Sequence, residues 1–382
     1  MRIAYGVMGY GRGHATRARA VLPALRREHE VTVFAGGDAY AMLANDFPTV
    51  RIPTLGYAYG RDGRASFTTT LMANARQTTG LLLGGESLRQ VMDELRKREI
   101  DLVISDSEAW LHQAARRLRI PRISFDHVGV IAFCEPHFPS ELAWRAYRDA
   151  WGYRRLMGQP DRVLISSFYP AQPRASTTRI VGPILRPEVL TAQPQSGDYL
   201  LAYFNRGHLQ YSPRIEQELL ELEMPVVIYG TAQEGDHDNL SFRPIDPLRF
   251  VEDFAGCRAV LATAGNQLIG EALHLRKPIL ALPEQVFEQE LNAWLVDRLG
   301  IGRRADLVNL TAGEIELFLA DAPACAARME AFAGDGSEAA IAALQEFIAE
   351  LRPCRPPRPV PAFAPYTPSG ANLGEPRRDP NA

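Results

Sequence analysis

The stretch Cys257–Trp294 reads CRAVLATAGNQLIGEALHLRKPILALPEQVFEQELNAW. Arg258 to Ala262 is a short apolar run and is expected as a buried strand. Thr263-Ala264-Gly265-Asn266 is a small polar turn. From Gln267 to Arg276 the spacing is helical, with Leu268, Ile269, Ala272 and Leu275 on one face. Pro278 to Leu282 is the next buried strand and Phe287 to Leu299 the next helix. A small-residue turn between strand and helix offers free backbone N–H groups and the positive end of the helix dipole, which suits phosphate. Glu271, one turn into that helix, would repel phosphate but could accept hydrogen bonds from a neighbouring ribose diol. Glu288 and Gln289 open the following helix, where a carboxylate and an amide can hold sugar hydroxyls.

This stretch resembles the donor-binding half of the two-domain glycosyltransferases of the GT-B fold. The likeness is to family 28, which includes the lipid II-forming enzyme of peptidoglycan synthesis, and to family 1. It lies in the Gly turn at Thr263–Gly265, in Glu271, in the Pro278-led strand, in the Glu288-Gln289 pair and in Asn292. Family 1 often has a His where Thr263 stands, and this chain departs from it there. The resemblance implies an α/β fold of two doubly wound Rossmann-like domains facing a central cleft. It implies an inverting, metal-independent transfer of a hexose from a nucleoside diphosphate sugar, UDP-linked, to a hydroxyl acceptor. Phosphate would be met by Thr263, Ala264, Gly265, Asn266 and Gln267, and the nucleotide base would lie near Pro244 and Ile245.

The chain opens on a second turn of this kind. Arg2 to Met8 reads as a buried strand, then Gly9-Tyr10-Gly11-Arg12-Gly13-His14 leads into a helix reaching Glu28. A dinucleotide fingerprint needs Gly-x-Gly-x-x-Gly. The glycines here stand at 9, 11 and 13, and His14 takes the third place. By resemblance this is the Gly-rich loop that faces the GT-B cleft, with Gly11 and Gly13 near the donor. His14 is then the candidate general base, an imidazole titrating near neutrality; capping the helix or binding a phosphate oxygen is the alternative role. Asp106 and Glu108 follow the strand Asp101–Ser105, and Asp126-His127 follows Arg122–Phe125. Residues at the carboxyl ends of parallel strands point into the ligand crevice. Asp106 therefore either orients His14, binds acceptor or caps a helix, and Asp126-His127 is a second candidate acid–base pair.

Further expectations concern organisation. Glu30–Ala35 and Thr49–Ile52 are strands. Leu55–Thr70 is a loop carrying Tyr57, Tyr59, Arg61 and Arg64; by resemblance it faces the acceptor, and a disordered surface loop is the alternative. Ala73–Arg98 is helical with a bend at Gly80, Gly84 and Gly85. The first domain covers residues 1–181, a Pro- and Gln-rich linker 182–197, and the donor domain 198–352. The last helix of the donor domain is expected to return to the first domain. Strands are expected at Asp198–Phe204, Pro225–Gly230 and Leu240–Ile245, and a short helix at Leu248–Ala255. Arg206 follows the first of these strands. By resemblance it clamps donor phosphate, a guanidinium gripping two oxygens; an exposed surface arginine is the plain alternative. The final 30 residues hold nine prolines and are expected to be disordered.

Composition narrows the class. The chain has 382 residues and a net charge of −3, which leaves no nucleic-acid footprint. Its four cysteines form no CxxC pair, which suggests a reducing compartment and no structural zinc. The N-terminus lacks the basic-then-apolar pattern of a signal peptide, and no apolar run approaches the ~18–20 residues of a spanning helix. A cytoplasmic protein is expected, with peripheral contact at the inner membrane face left open. The nearest approach to an Asp-x-Asp metal motif, Asp236-His237-Asp238, lies far in sequence from the phosphate turn. No metal and no cofactor beyond the nucleotide-sugar cosubstrate are expected. Two other classes share the pattern. A non-hydrolysing UDP-sugar 2-epimerase would use cleft carboxylates such as Asp106, Glu108 and Asp126. A non-catalytic nucleotide-sugar-binding protein would use none.

Overall fold

Two seven-stranded sheets organise the chain. The computed structural model describes residues 1–59, 67–135, 137–332 and 334–352. Arg61, Arg64 and the Pro-rich tail of residues 353–382 lie outside the described residues.

The first sheet contains β1 (Arg2–Val7), β2 (Glu30–Ala35), β3 (Thr49–Arg51), β4 (Leu102–Asp106), β5 (Arg122–Asp126), β6 (Arg162–Ser166) and β7 (Thr178–Val181). Its order is β3-β2-β1-β4-β5-β6-β7, and its neighbours pair in parallel. The second contains β8 (Leu200–Tyr203), β9 (Val226–Tyr229), β10 (Gly235–His237), β11 (Leu240–Arg243), β12 (Ala259–Ala262), β13 (Ile279–Ala281) and β14 (Gly302–Arg304). Its order is β10-β11-β9-β8-β12-β13-β14, with only the β10–β11 edge pair antiparallel. Both are doubly wound, as the apolar strands imply. A strand buried on both faces reads as a continuous hydrophobic run, and β9 and β12 are buried at every position.

This topology decides where ligands can bind. A doubly wound sheet opens a crevice outside the carboxyl ends of its strands, where the winding reverses. The reversal falls between β1 and β4 in the first sheet and between β8 and β12 in the second. β4 ends on Asp106, and the segments that follow β1, β8 and β12 carry His14, Arg206 and Thr263.

Two departures from the sequence reading have local causes. Helix begins at Phe67 rather than after the expected loop. The long helical region then breaks at Gly84 and Gly85, into Phe67–Leu83 and Glu86–Lys97. Gly84 adopts φ +89, which costs glycine little, and a Cβ at Gly85 would stand 2.8 Å from Gly80 Cα. Gly80 itself stays helical.

The final helix, Ser337–Glu350, follows the second sheet in sequence but packs on the first. Ala340, Leu344, Phe347 and Ile348 share a core cluster with Leu22 and Leu25. Burying Phe347, 1% exposed, favours this docking by roughly 1.5–3 kcal/mol. Glu350 accepts from Arg162 at 2.7 Å, and Gln345 donates to Glu28 at 2.9 Å.

Candidate active site

The Gly-rich turn after β1 is shaped by close backbone approach. A Cβ on Gly9 would stand 2.4 Å from Thr54 Oγ1 and 2.6 Å from the Gly36 backbone, so only glycine fits. Gly11 has φ +79, and its N–H donates to Asp38 Oδ2 at 3.0 Å. Asp38 N–H donates in turn to the Gly9 carbonyl at 2.9 Å. The helix Gly13–Glu28 starts from this turn and carries His14 in its first turn.

His14 Nδ1 lies 2.7 Å from Asp106 Oδ1. Asp106 is the last residue of β4 and is fully buried, whereas the His14 side chain keeps 19% exposure. One helical turn on, Arg17 grips the same carboxylate, Nε to Oδ2 at 2.8 Å and an NH2 nitrogen to Oδ1 at 2.6 Å. That nitrogen also stands 3.1 Å from His14 Nδ1. Burial works to raise the Asp106 carboxyl, but Arg17 and His14 outweigh it and hold it below its usual range. With Nδ1–H directed at an ionised carboxylate, the lone pair of neutral His14 is on Nε2.

The other strand-end carboxylates serve their own domain. Glu108 caps the helix Ala109–Leu118 by accepting from the N–H groups of Trp110 and Leu111, and burial pushes its carboxyl up to about 7. Asp126 accepts from Tyr153 at 2.6 Å and from Gly129 N–H at 2.7 Å. His127 turns elsewhere, with Nδ1 2.9 Å from the Ser166 carbonyl oxygen and Nε2 3.1 Å from Asn292 Oδ1. Asp126 and His127 thus face separate partners rather than one another.

The second sheet brings up the other wall. After β12, Gly265 caps the helix Asn266–His274 without any side-chain hydrogen bond. Thr263 and Ala264 are buried behind it. A Cβ at Gly13 would meet Gln267 Cβ at 3.4 Å, so this turn abuts the one carrying His14. Glu271 is 1% exposed and accepts from Arg186 at 2.8 and 2.7 Å and from Gln267 at 3.0 Å. Arg206 donates to Asp38 at 3.1 Å and stacks over the Tyr10 ring at 4.7 Å. Both contacts cross from the second sheet to the first.

The helix Phe287–Arg298 closes the cleft. Glu288 accepts from Asn292 at 2.8 Å, and burial pushes its carboxyl up to about 7, with His14 and Arg17 acting through space in the opposite sense. Gln289 accepts from Glu284 N–H at 3.0 Å. Glu284 also accepts from Gln210 at 2.6 Å and, across the cleft, from Tyr59 at 2.9 Å. Pro244 and Ile245 are exposed between β11 and the helix Pro247–Gly256. The Asp236-His237-Asp238 triplet sits on the edge hairpin, with β11, β9 and β8 between β10 and β12.

His14, Asp106, Gly13, Gln267, Arg206 and Glu288 therefore converge, while Asp126 and Glu108 are spent on internal structure. The sequence reading missed Arg17, Asp38, Arg186 and Glu284. Arg17 left a signal, since it is three residues from His14 and so on the same helix face. Asp38 meets Arg206, Arg186 meets Glu271, and Glu284 meets Tyr59 and Gln210, all far away in sequence.

Comparison with known proteins gives concordant results. The family model described as glycosyl transferase family 1 matches residues 1–323. An uncharacterised glycosyltransferase of Methanosarcina acetivorans is 26% identical over 332 residues, covering 79% of this chain and 85% of its own. Among solved structures, the glycotransferase of kitacinnamycin superposes with TM-score 0.66 at 18% identity, over 92% of this chain and 99% of that one. The spinosyn rhamnosyltransferase SpnG gives 0.61 at 16% identity, over 90% and 100%. MurG of Acinetobacter baumannii gives 0.58 at 15% identity, over 90% and 99%. The fold is the GT-B fold.

Proposed function

The chain belongs to glycosyl transferase family 1, and on that premise we propose a specific reaction. A sugar passes from a nucleoside diphosphate, UDP in our reading, to an acceptor hydroxyl, with inversion and without a metal ion. The observation that carries this reading is the 2.7 Å contact between His14 and Asp106, set beside the phosphate turn by the Gly13–Gln267 approach. His14 Nε2 takes the acceptor proton as the acceptor oxygen attacks the anomeric carbon. The bond from that carbon to the diphosphate oxygen breaks, and its electron pair leaves with the diphosphate. A single displacement inverts the anomeric centre. Asp106 steadies the imidazolium that forms. A general base of this kind contributes ~10²–10⁴-fold in rate.

The leaving charge is received by the first-turn N–H groups of the helix Asn266–His274, by Arg206 and by Arg186. Glu288 and Gln289 hold sugar hydroxyls, and Pro244 and Ile245 border the base. A carboxylate has about four acceptor directions. Arg186 and Gln267 use three of those on Glu271, and the ribose diol takes the fourth or displaces Gln267.

Peripheral membrane contact, as part of the same proposal, is supported by the helix Ala143–Met157. Trp144, Tyr147 and Trp151 are 77%, 60% and 68% exposed on one face, with exposed Arg154 and Arg155 beside them. Trp and Tyr favour the headgroup level, and cosedimentation with anionic vesicles tests this. No helix among the described residues is long and apolar enough to cross a membrane. The internal use of Asp126 and Glu108 counts against the epimerase. A product assay over UDP-, dTDP- and GDP-sugars with hydroxyl acceptors tests the reaction. Glycoside formation that persists in EDTA is expected; epimerisation, or binding without turnover, refutes it.

A further inference from the structure

Asn292 is fully buried and makes three connections at once. Its Nδ2 donates to the Ala264 carbonyl of the phosphate turn at 3.0 Å and to Glu288 at 2.8 Å. Its Oδ1 lies 3.1 Å from Nε2 of His127, which belongs to the first sheet and is 165 residues away. A buried amide with these contacts has little rotational freedom. His127 is fixed as well. It is 3% exposed, and the rings of Phe168 and Tyr169 stand at 6.3 and 5.9 Å. This first-domain packing points Nε2 toward Asn292.

We propose that His127 is a positioning residue for donor-sugar recognition: through Asn292 it orients Glu288 across the cleft. The inference rests on reading Glu288 as the acceptor of donor-sugar hydroxyls. The Asn292 contacts to Ala264 and Glu288 lie within the second domain, whereas the contact to His127 joins it to the first. The restraint on Glu288 thereby includes a residue of the first domain, through the chain His127–Asn292–Glu288. His127 needs no contact with the reacting atoms for this role.

The test uses the full-length protein, with UDP-glucose and UDP as probes, and reads the ratio of their affinities. Glu288→Gln should reduce the advantage of UDP-glucose over UDP. His127→Phe keeps the ring and removes the hydrogen bond to Asn292; it should reduce that advantage by about tenfold, the scale of one buried hydrogen bond, and leave UDP affinity unchanged. His127→Gln, which retains a polar group facing Asn292, should recover part of it. The double variant His127→Phe/Glu288→Gln should lose no more than Glu288→Gln alone. If Glu288→Gln lowers the advantage and His127→Phe does not, or lowers UDP and UDP-glucose affinity alike, the positioning role is overturned. If Glu288→Gln leaves the advantage unchanged, the sugar-binding reading of Glu288 fails first, and the inference with it.

Discussion

Arg17 and Asp106 form a bidentate ion pair inside the first domain, with contacts of 2.8 and 2.6 Å and side-chain exposures of 4% and 0%. The pair shares its carboxylate with His14. Two roles follow from one geometry. Arg17 stops Asp106 from turning, so the imidazole is aimed by a fixed acceptor. It also offsets part of the carboxylate's charge.

The pair predicts a stability cost. Asp106→Asn strands a buried guanidinium, and removing one partner of such a pair typically costs about 3–5 kcal/mol. Urea denaturation near neutral pH should show a loss of that size. The pH dependence has a definite sign. The Asp106 carboxyl is held below its unfolded value, so its contribution is full above that value and is lost as pH falls through the depressed one. The variant should therefore lack this part of the wild-type acid transition.

Glu271 predicts a binding defect. Its contacts exist before and during reaction, so removing it should raise the donor KM more than it lowers kcat. Charge-assisted contacts of ~1.5–3 kcal/mol imply that Glu271→Ala weakens UDP binding by about tenfold to a hundredfold. Calorimetric titration with UDP checks it. Unchanged affinity would remove Glu271 and its partner Arg186 from the donor site.

The strand–turn–helix rhythm of Cys257–Trp294 was legible because it is local. Apolar runs, a Gly turn and helical spacing lie within a few residues, and β12, the helix Asn266–His274 and β13 fall within two residues of expectation. The meeting of His14 with Asp106 was legible at one remove, since both follow parallel strands. What stayed hidden was pairing across distance. Nothing around Glu271 points to Arg186, 85 residues away, and nothing near Glu284 points to Tyr59, 225 away. The buried Asp126-His127 dipeptide looked like an acid–base pair because sequence adjacency does not reveal that its side chains find separate partners. β6 and β7 carried no motif and passed without notice.

Glu288 predicts a pH-dependent donor affinity. Burial pushes its carboxyl up to about 7, so the ionised, hydroxyl-accepting form is lost as pH falls below that value. Affinity for the nucleotide sugar should drop between pH 8 and about 6, a window bracketing that value, while affinity for the nucleotide without sugar changes less. Titrations at several pH values check this, and Glu288→Gln should abolish the difference.

The most direct measurement compares wild type with His14→Ala for turnover at saturating donor and for UDP affinity. If His14 is the general base, kcat falls by ~10²–10⁴-fold and UDP affinity is nearly intact. If UDP binding is abolished while turnover at saturating donor stays normal, His14 is a phosphate ligand and the proposed proton transfer is wrong.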